Sequence, residues 1–247
     1  MRFSLRSAVI VLACAASAAF APGREGGAEP RREYFVLEER LADGTTRVVG
    51  VQSFARRAKP GSTLLESTAT FARENRASGV ARVLAVEELT AEHASLSWRE
   101  LSAGTGRSLR AEWHAGGDGL DVTEWGNGPR WREELASDEG ALLPLYLLEL
   151  LRRGGLTAGS VPCFEPLSRS IERYEISTWY DEDAHGERAR TVELRRTDGT
   201  LAGRYRLTGA RLEGFELQDG GAVARAVDEA EYERSERALG EPVAAGN

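Results

Sequence analysis

The chain is poor in the residues that usually carry chemistry. Its 247 residues include 3 histidines, 2 cysteines and 1 methionine. An imidazole mechanism would have to use His93, His114 or His185. His93 in TAEHAS and His185 in DEDAHGE stand among polar turn residues and read as solvated loop positions. There is no Gly-x-Ser-x-Gly elbow, no His-Glu-x-x-His, no Gly-rich phosphate loop and no Cys-x-x-Cys, the spacings that place a nucleophile, a metal or a phosphate. The carboxylate run Asp181-Glu182-Asp183 matches no calcium loop and reads as a charged hairpin tip. The expectation is a protein without cofactor or metal, and not an enzyme. Basic excess is absent too: the formal charge is -7, with arginine and glutamate interspersed, which leaves nothing to neutralise a phosphate backbone and excludes nucleic acid as a partner.

Long apolar runs are also missing. The one near the start, in MRFSLRSAVIVLACAASAAFAPG, follows Arg2 and Arg6 and falls short of the roughly 20 residues needed to cross a bilayer. Two arginines, a short apolar stretch and small residues form the layout of a secretory signal over residues 1–21. Ala19-Phe20-Ala21 fits a cleavage site, although Pro22 follows it. Val11-Leu12-Ala13-Cys14 resembles the lipobox of bacterial lipoproteins, which makes Cys14 a second candidate processing point and a lipidation site. Whether Cys14 is removed or acylated, Cys163 is left without a disulfide partner and reads as a small buried hydrophobe. The expected location is outside the cytoplasm, in the periplasm or cell envelope, with no membrane span in the mature chain.

What the chain has in abundance is alternation. After a Pro, Gly and charge-rich spacer at 22–32, runs such as EYFVLEERL, TRVVGVQSFA, VARVLAVEEL and IERYEISTWY alternate apolar with polar residues, and turn pairs such as Asp43-Gly44 and Asp198-Gly199 separate them. Period-two patterning with hairpin joints predicts antiparallel strands. No helix of ten residues fits between consecutive runs, which argues against a parallel sheet. Twelve such runs over residues 33–240 predict a mainly β domain, a single large curved antiparallel sheet or half-open barrel, followed by a disordered tail at 241–247.

Two segments break the alternation. LLPLYLLELLRRGG predicts a helix over about 143–153, with Pro144 in its first turn, Arg152 and Arg153 at the end of its dipole and Gly154 as a left-handed stop. Leu143, Leu147, Leu150 and Leu151 share one face, and Leu145 and Leu148 widen it. So short a helix needs an apolar host, and the concave face of the sheet is the expected one. DEAEYERSERAL predicts a C-terminal amphipathic helix capped by Asp228.

The order of LPLYLLELL, LTAGSVPCFEP and RRTDGTLAGRYRLTGARLEGFELQ resembles exported bacterial families of unknown function built like the periplasmic lipoprotein carriers. That resemblance implies a half-open barrel with helices in its mouth and an apolar hollow between sheet and helix. It leads to the expectation of a non-catalytic cell-envelope protein binding a lipid-like ligand or a lipoprotein partner. The candidate ligand-contacting residues are Leu143, Leu147, Leu150, Leu151, Trp113, Trp125, Tyr174 and Ile176. The alternatives are a structural or interaction protein whose helix plugs the barrel, and an envelope-polymer hydrolase with a site assembled from loops.

Overall fold

The computed structural model describes residues 31–72, 80–102, 105–114, 119–126, 129–136, 140–182, 188–217 and 222–240. Residues 1–30, which hold the expected secretory segment with Cys14 and most of the spacer, the last residues 241–247, the His114 side chain and His185 lie outside the described residues. The first half of the chain is a run of strands: β1 (Arg31–Arg40), β2 (Thr46–Lys59), β3 (Ser62–Ala72), β4 (Val80–Leu89), β5 (His93–Ser102), β6 (Thr105–His114), β7 (Gly119–Gly126) and β8 (Trp131–Ala136). The helix α1 (Pro144–Arg153) follows, then β9 (Gly159–Glu165), β10 (Ser170–Glu182), β11 (Arg188–Arg196), β12 (Leu201–Thr208), β13 (Arg211–Leu217), β14 (Ala222–Val227) and α2 (Glu229–Gly240).

The expected turn chemistry is present. In both Asp43-Gly44-Thr45 and Asp198-Gly199-Thr200 the aspartate Oδ1 accepts the N–H of the threonine two residues on, at 2.9 Å, and the glycine between has φ of 85° and 83°. This arrangement closes a hairpin without help from the rest of the fold.

All fourteen strands form one antiparallel sheet in the order β8-β7-β6-β5-β4-β3-β2-β1-β14-β13-β12-β11-β10-β9. Sequence neighbours pair throughout except across α1, so the edges of the sheet, β8 and β9, are the two strands that flank the helix. The sheet must curl. β3 and β9 stand eight places apart in the strand order, a separation of roughly 38 Å in a flat sheet, yet α1, about 15 Å long, touches both. Between β8 and β9 the chain leading into α1 makes a partial seam: Leu142 bridges Cys163 in parallel fashion, its carbonyl accepting the Phe164 N–H at 3.1 Å.

Register sorts the side chains. Along β4, Val83, Ala85, Glu87 and Leu89 are buried on the face that holds α1, while Leu84 is exposed on the other. Along β10, Tyr174 and Ile176 are buried, and Arg173, Glu175, Ser177 and Trp179 are exposed. The inner faces and α1 share one continuous core, which includes Phe35, Trp98, Leu109, Leu147, Phe164, Tyr205 and Phe215. A smaller cluster covers the outer face of β1 and β2, where Tyr232 and Leu239 of α2 pack on Val36 and Val51. Asp228 Oδ1 accepts the Glu231 N–H at 2.7 Å and caps α2 as its sequence implies.

The β13–β14 pairing leaves no room for a side chain at Gly214, where an added Cβ would lie 2.6 Å from the Ala224 carbonyl oxygen. Backbone cannot withdraw as a side chain can. Gly214→Ala is expected to cost about 1–3 kcal/mol, read as a lower melting temperature with the sheet otherwise retained.

Candidate functional site: the filled interior and the ends of α1

The sheet's inner face and α1 meet over the residues expected to line a ligand hollow. Leu147 and Leu151 are fully buried, Leu143 is 1% exposed, and Tyr174 and Ile176 lie in the same core. Leu150 is only half-buried, at the edge of that contact, and Trp113 packs against the core from the inner face of β6. Trp125 is corrected. It pairs with Ser108 while Glu124 pairs with the core residue Leu109, so strand parity puts Trp125 on the outer face, 45% exposed, where it cannot line the interior. Trp98, Trp113 and Trp131 share the inner parity, and Trp98 is itself fully enclosed.

The two ends of α1 are held differently. Its N-cap position is Leu143, which has no capping side chain, and no acidic residue occupies the first turn. The missing acceptor comes from the sheet. Glu87 of β4 points inward and accepts the N–H of Leu145 at 2.6 Å through Oε1 and that of Tyr146 at 2.8 Å through Oε2. A carboxyl thus satisfies two of the four amides that a helix start leaves unpaired. Its surroundings are Leu65 and Leu96, its partners in register on β3 and β5. Burial pushes the Glu87 carboxyl up to about 8, against the lowering pull of the two N–H groups. Burial outweighs hydrogen bonding because no countercharge offsets it.

At the other end the contacts are ionic and numerous. Arg152 pairs with Glu33 of β1, Glu149 pairs with Arg56 of β2 at 3.1 Å and with Arg153 at 2.6 Å. Arg190 of β11 donates to the Arg152 carbonyl at 2.5 Å and to the Gly209 carbonyl at 3.3 Å. Gly154 ends the helix with φ of 71°, and an added Cβ there would meet the Arg190 guanidinium at 2.9 Å. Cations on the final carbonyls suit the negative end of the helix dipole.

A second polar group lies where β9, β10 and β11 come together. Glu172 accepts from Tyr174 Oη at 3.2 Å and from Arg196 Nε at 3.0 Å, while Glu165 accepts the Leu167 N–H at 3.2 Å. Burial raises Glu165 to about 8, and burial with the nearby glutamates also raises the Tyr174 phenol. From the β9–β10 turn Arg169 reaches across to the opposite edge, pairing with Glu124 of β7 at 3.4 Å and stacking its guanidinium over Trp131 of β8 at 4.8 Å. Glu124 also holds Arg107 at 2.7 Å, which lies over Trp98 and donates to the Pro166 carbonyl at 3.3 Å. Arg169 has φ of 56°, the only positive value on a non-glycine residue among those described. The seam between the sheet edges is therefore bolted at this end by side chains.

Among the described residues no group of three or more His, Cys, Asp or Glu could hold a metal ion. Cys163 is a free, buried thiol beside Leu142. Glu87 and Glu165 were missed from sequence alone. The available signal for Glu87 was its phase, a carboxylate in step with Val83, Ala85 and Leu89; for Glu165 it was the apolar setting VPCFEP.

No protein-family model matches the chain, and no curated protein sequence does. Among solved structures it is similar to a beta-barrel-like protein of a domain of unknown function, DUF1849, from Brucella abortus, at 12% sequence identity and a TM-score of 0.56. The match covers 80% of this chain and 94% of that one. At this identity the likeness concerns the fold alone, a mostly β, barrel-like architecture of unknown function.

Proposed function

We propose that this is a non-catalytic, exported cell-envelope protein whose curled sheet is filled by its own helix, and that it works through its surface as a structural or interaction component. One observation carries the reading: Leu143, Leu147, Leu151 and Tyr174, the residues best placed to greet an apolar ligand, are each at most 1% exposed and already packed on one another's neighbours. A ligand would have to displace α1 and its ion pairs. The export proposal rests on the secretory layout of residues 1–21, and a periplasmic or envelope location follows from it.

A second reading, a binder of a lipid-like molecule or lipoprotein, draws on Trp98. Its indole Nε1 is buried without a hydrogen-bond partner, a donor that an occupant of the interior could satisfy. Native mass spectrometry of the exported protein purified without detergent separates the two. The bare polypeptide mass is the expected result. A co-purifying mass in the lipid range, lost on denaturation, would replace the filled-barrel reading with the carrier reading.

A further inference from the structure

The outer face of the sheet is covered unevenly. α2 packs over β1, β2 and β3, whereas the same face of β4 to β7 carries Leu84, Leu101 and Trp125, which are 42%, 51% and 45% exposed. Strand pairing sets Leu84, Arg99, Ser108 and Trp125 in one row across β4 to β7. The row on one side of it brings Leu101 beside Gly106, and the row on the other runs Val86, Ser97, Arg110, Thr123. Apolar bulk thus stands on the flanking strands at Leu84, Val86 and Trp125, with the small Ser97, Gly106 and Ser108 between them. Arg99 is exposed and has no ion pair among the described residues. We propose, resting on the surface reading above, that this face pairs with the same face of a second copy of the chain, in a two-fold dimer whose axis runs parallel to the strands between β5 and β6.

A two-fold axis in that position exchanges the ends of each row. Leu84 meets Trp125 of the second copy, and Trp125 meets the other Leu84. Arg99 lies over Ser108 of the second copy and beside its Trp125, whose ring face accepts an unpaired guanidinium. Leu101 is nearest the axis: an added Cβ on Gly106 would lie 3.8 Å from its Cδ2, so it leans over the glycine towards β6 and meets Leu101 of the second copy there. Curvature suits the same arrangement. Two curled sheets present convex faces that part on either side of their line of contact, and the space is filled when short side chains lie along the line and long ones beside it. The other charges are settled within each copy, Arg110 by Glu112 at 2.6 Å and Arg132 by Asp121 at 3.3 Å. Glu88 and Asp121, which the axis brings together at the rim, are each already paired, Glu88 with Lys59 at 3.9 Å. A two-fold contact requires one patch complementary to itself, and the matching of these rows with their own reverse is what selects a second copy over an unrelated partner. Four strands span about 19 Å, so the contact belongs to the small class typical of weak, reversible pairs.

The test is sedimentation velocity of the protein, expressed from the full chain and purified without detergent, over a series from micromolar to millimolar concentration. The expected result is a reversible monomer–dimer equilibrium. Leu84→Glu, Leu101→Glu and Trp125→Lys change exposed residues and should keep the wild-type thermal transition, while each raises the dimer dissociation constant about tenfold or more. Within one copy, positions 84 and 125 stand on β4 and β7, with β5 and β6 between them, too far apart for an ion pair, and only the two-fold makes them neighbours. An equimolar mixture of the Leu84→Glu chain and the Trp125→Lys chain should therefore recover the dimer that neither forms alone. Val223→Glu, at an exposed apolar residue of β14, is the control and should dimerise as the wild type does. A monomer at every concentration would overturn the pairing, and would leave the filled interior standing if its mass is that of the bare polypeptide. Dimers that persist in Leu101→Glu, dimers lost in Val223→Glu, or a mixture that recovers nothing would overturn it as well.

Discussion

Leu147→Asp is expected to leave no cooperatively folded protein. Leu147 is fully buried in the middle of α1, between the helix and the inner face of the sheet. Losing its packing costs about 2–5 kcal/mol, and enclosing an unpaired polar group in its place costs a further ~2–7 kcal/mol. Together these match the whole stability of a typical domain, about 5–15 kcal/mol. The variant should accumulate in aggregates or show no thermal transition by circular dichroism. Leu150→Asp, one helical turn from the centre and half-buried, serves as the control and should fold with a modest loss. If α1 were a detachable lid over a stable sheet, Leu147→Asp would instead melt as a cooperative β protein.

The second large effect concerns pH. Glu87 and Glu165 both titrate near 8 in the folded protein, against an ordinary value near 4.5. Below that ordinary value each is protonated whether the chain is folded or not, so the stability tied to its burial is fully present. Between about 4.5 and 8 the unfolded chain has given up the proton and the folded chain keeps it, so stability falls as pH rises, by about 1.4 kcal/mol per unit for each group. Above 8 the loss is complete. Glu124 and Glu193 run the other way, because their arginine partners hold them below the ordinary value, and their contribution is lost in acid. Maximum stability is therefore expected near pH 5, with the melting temperature falling by about 10 °C or more towards pH 8. Thermal scans from pH 4 to 9 check this, and the double variant Glu87→Gln, Glu165→Gln should flatten the alkaline side. A melting temperature that rises between pH 5.5 and 7.5 would show that these carboxyls are not enclosed as described.

Much of this architecture is legible in the residues, for reasons that are local. Alternation such as Tyr174, Ile176 against Arg173, Glu175 follows from period two, and runs of this kind marked twelve of the strands. Pro144, Arg152 and Gly154 mark α1 through backbone chemistry, and the leucines on both sides of Glu149 state that it is enclosed. The two strands without a clear pattern are β8 and β9. WREELA of β8 is charged and mostly exposed, so no apolar phase marks it. VPCFE of β9 is buried at every position, because α1, Leu142 and β10 surround it, and Pro162 disguises it further. Both flank α1, where the ladder is interrupted and burial no longer tracks strand parity.

The chemistry of the interior was less legible because it is made between distant segments. Glu87 caps a helix 58 residues away in sequence, and Arg169 crosses a seam to Glu124, 45 residues away. No spacing rule links such pairs. Trp125 shows the opposite failure: it was expected among the residues contacting a ligand in the hollow, but one residue of parity puts it on the outer face.

The most direct test of the filled interior is the amide hydrogen exchange of α1. If α1 is part of the core, the amides from Glu149 to Leu151 should exchange only through global unfolding, with the same opening free energy as strand amides at Val192 and Tyr205. Exchange of those helix amides within minutes, while the strands remain protected, would mean that α1 leaves a stable sheet, and the interior would then be a binding site with a lid.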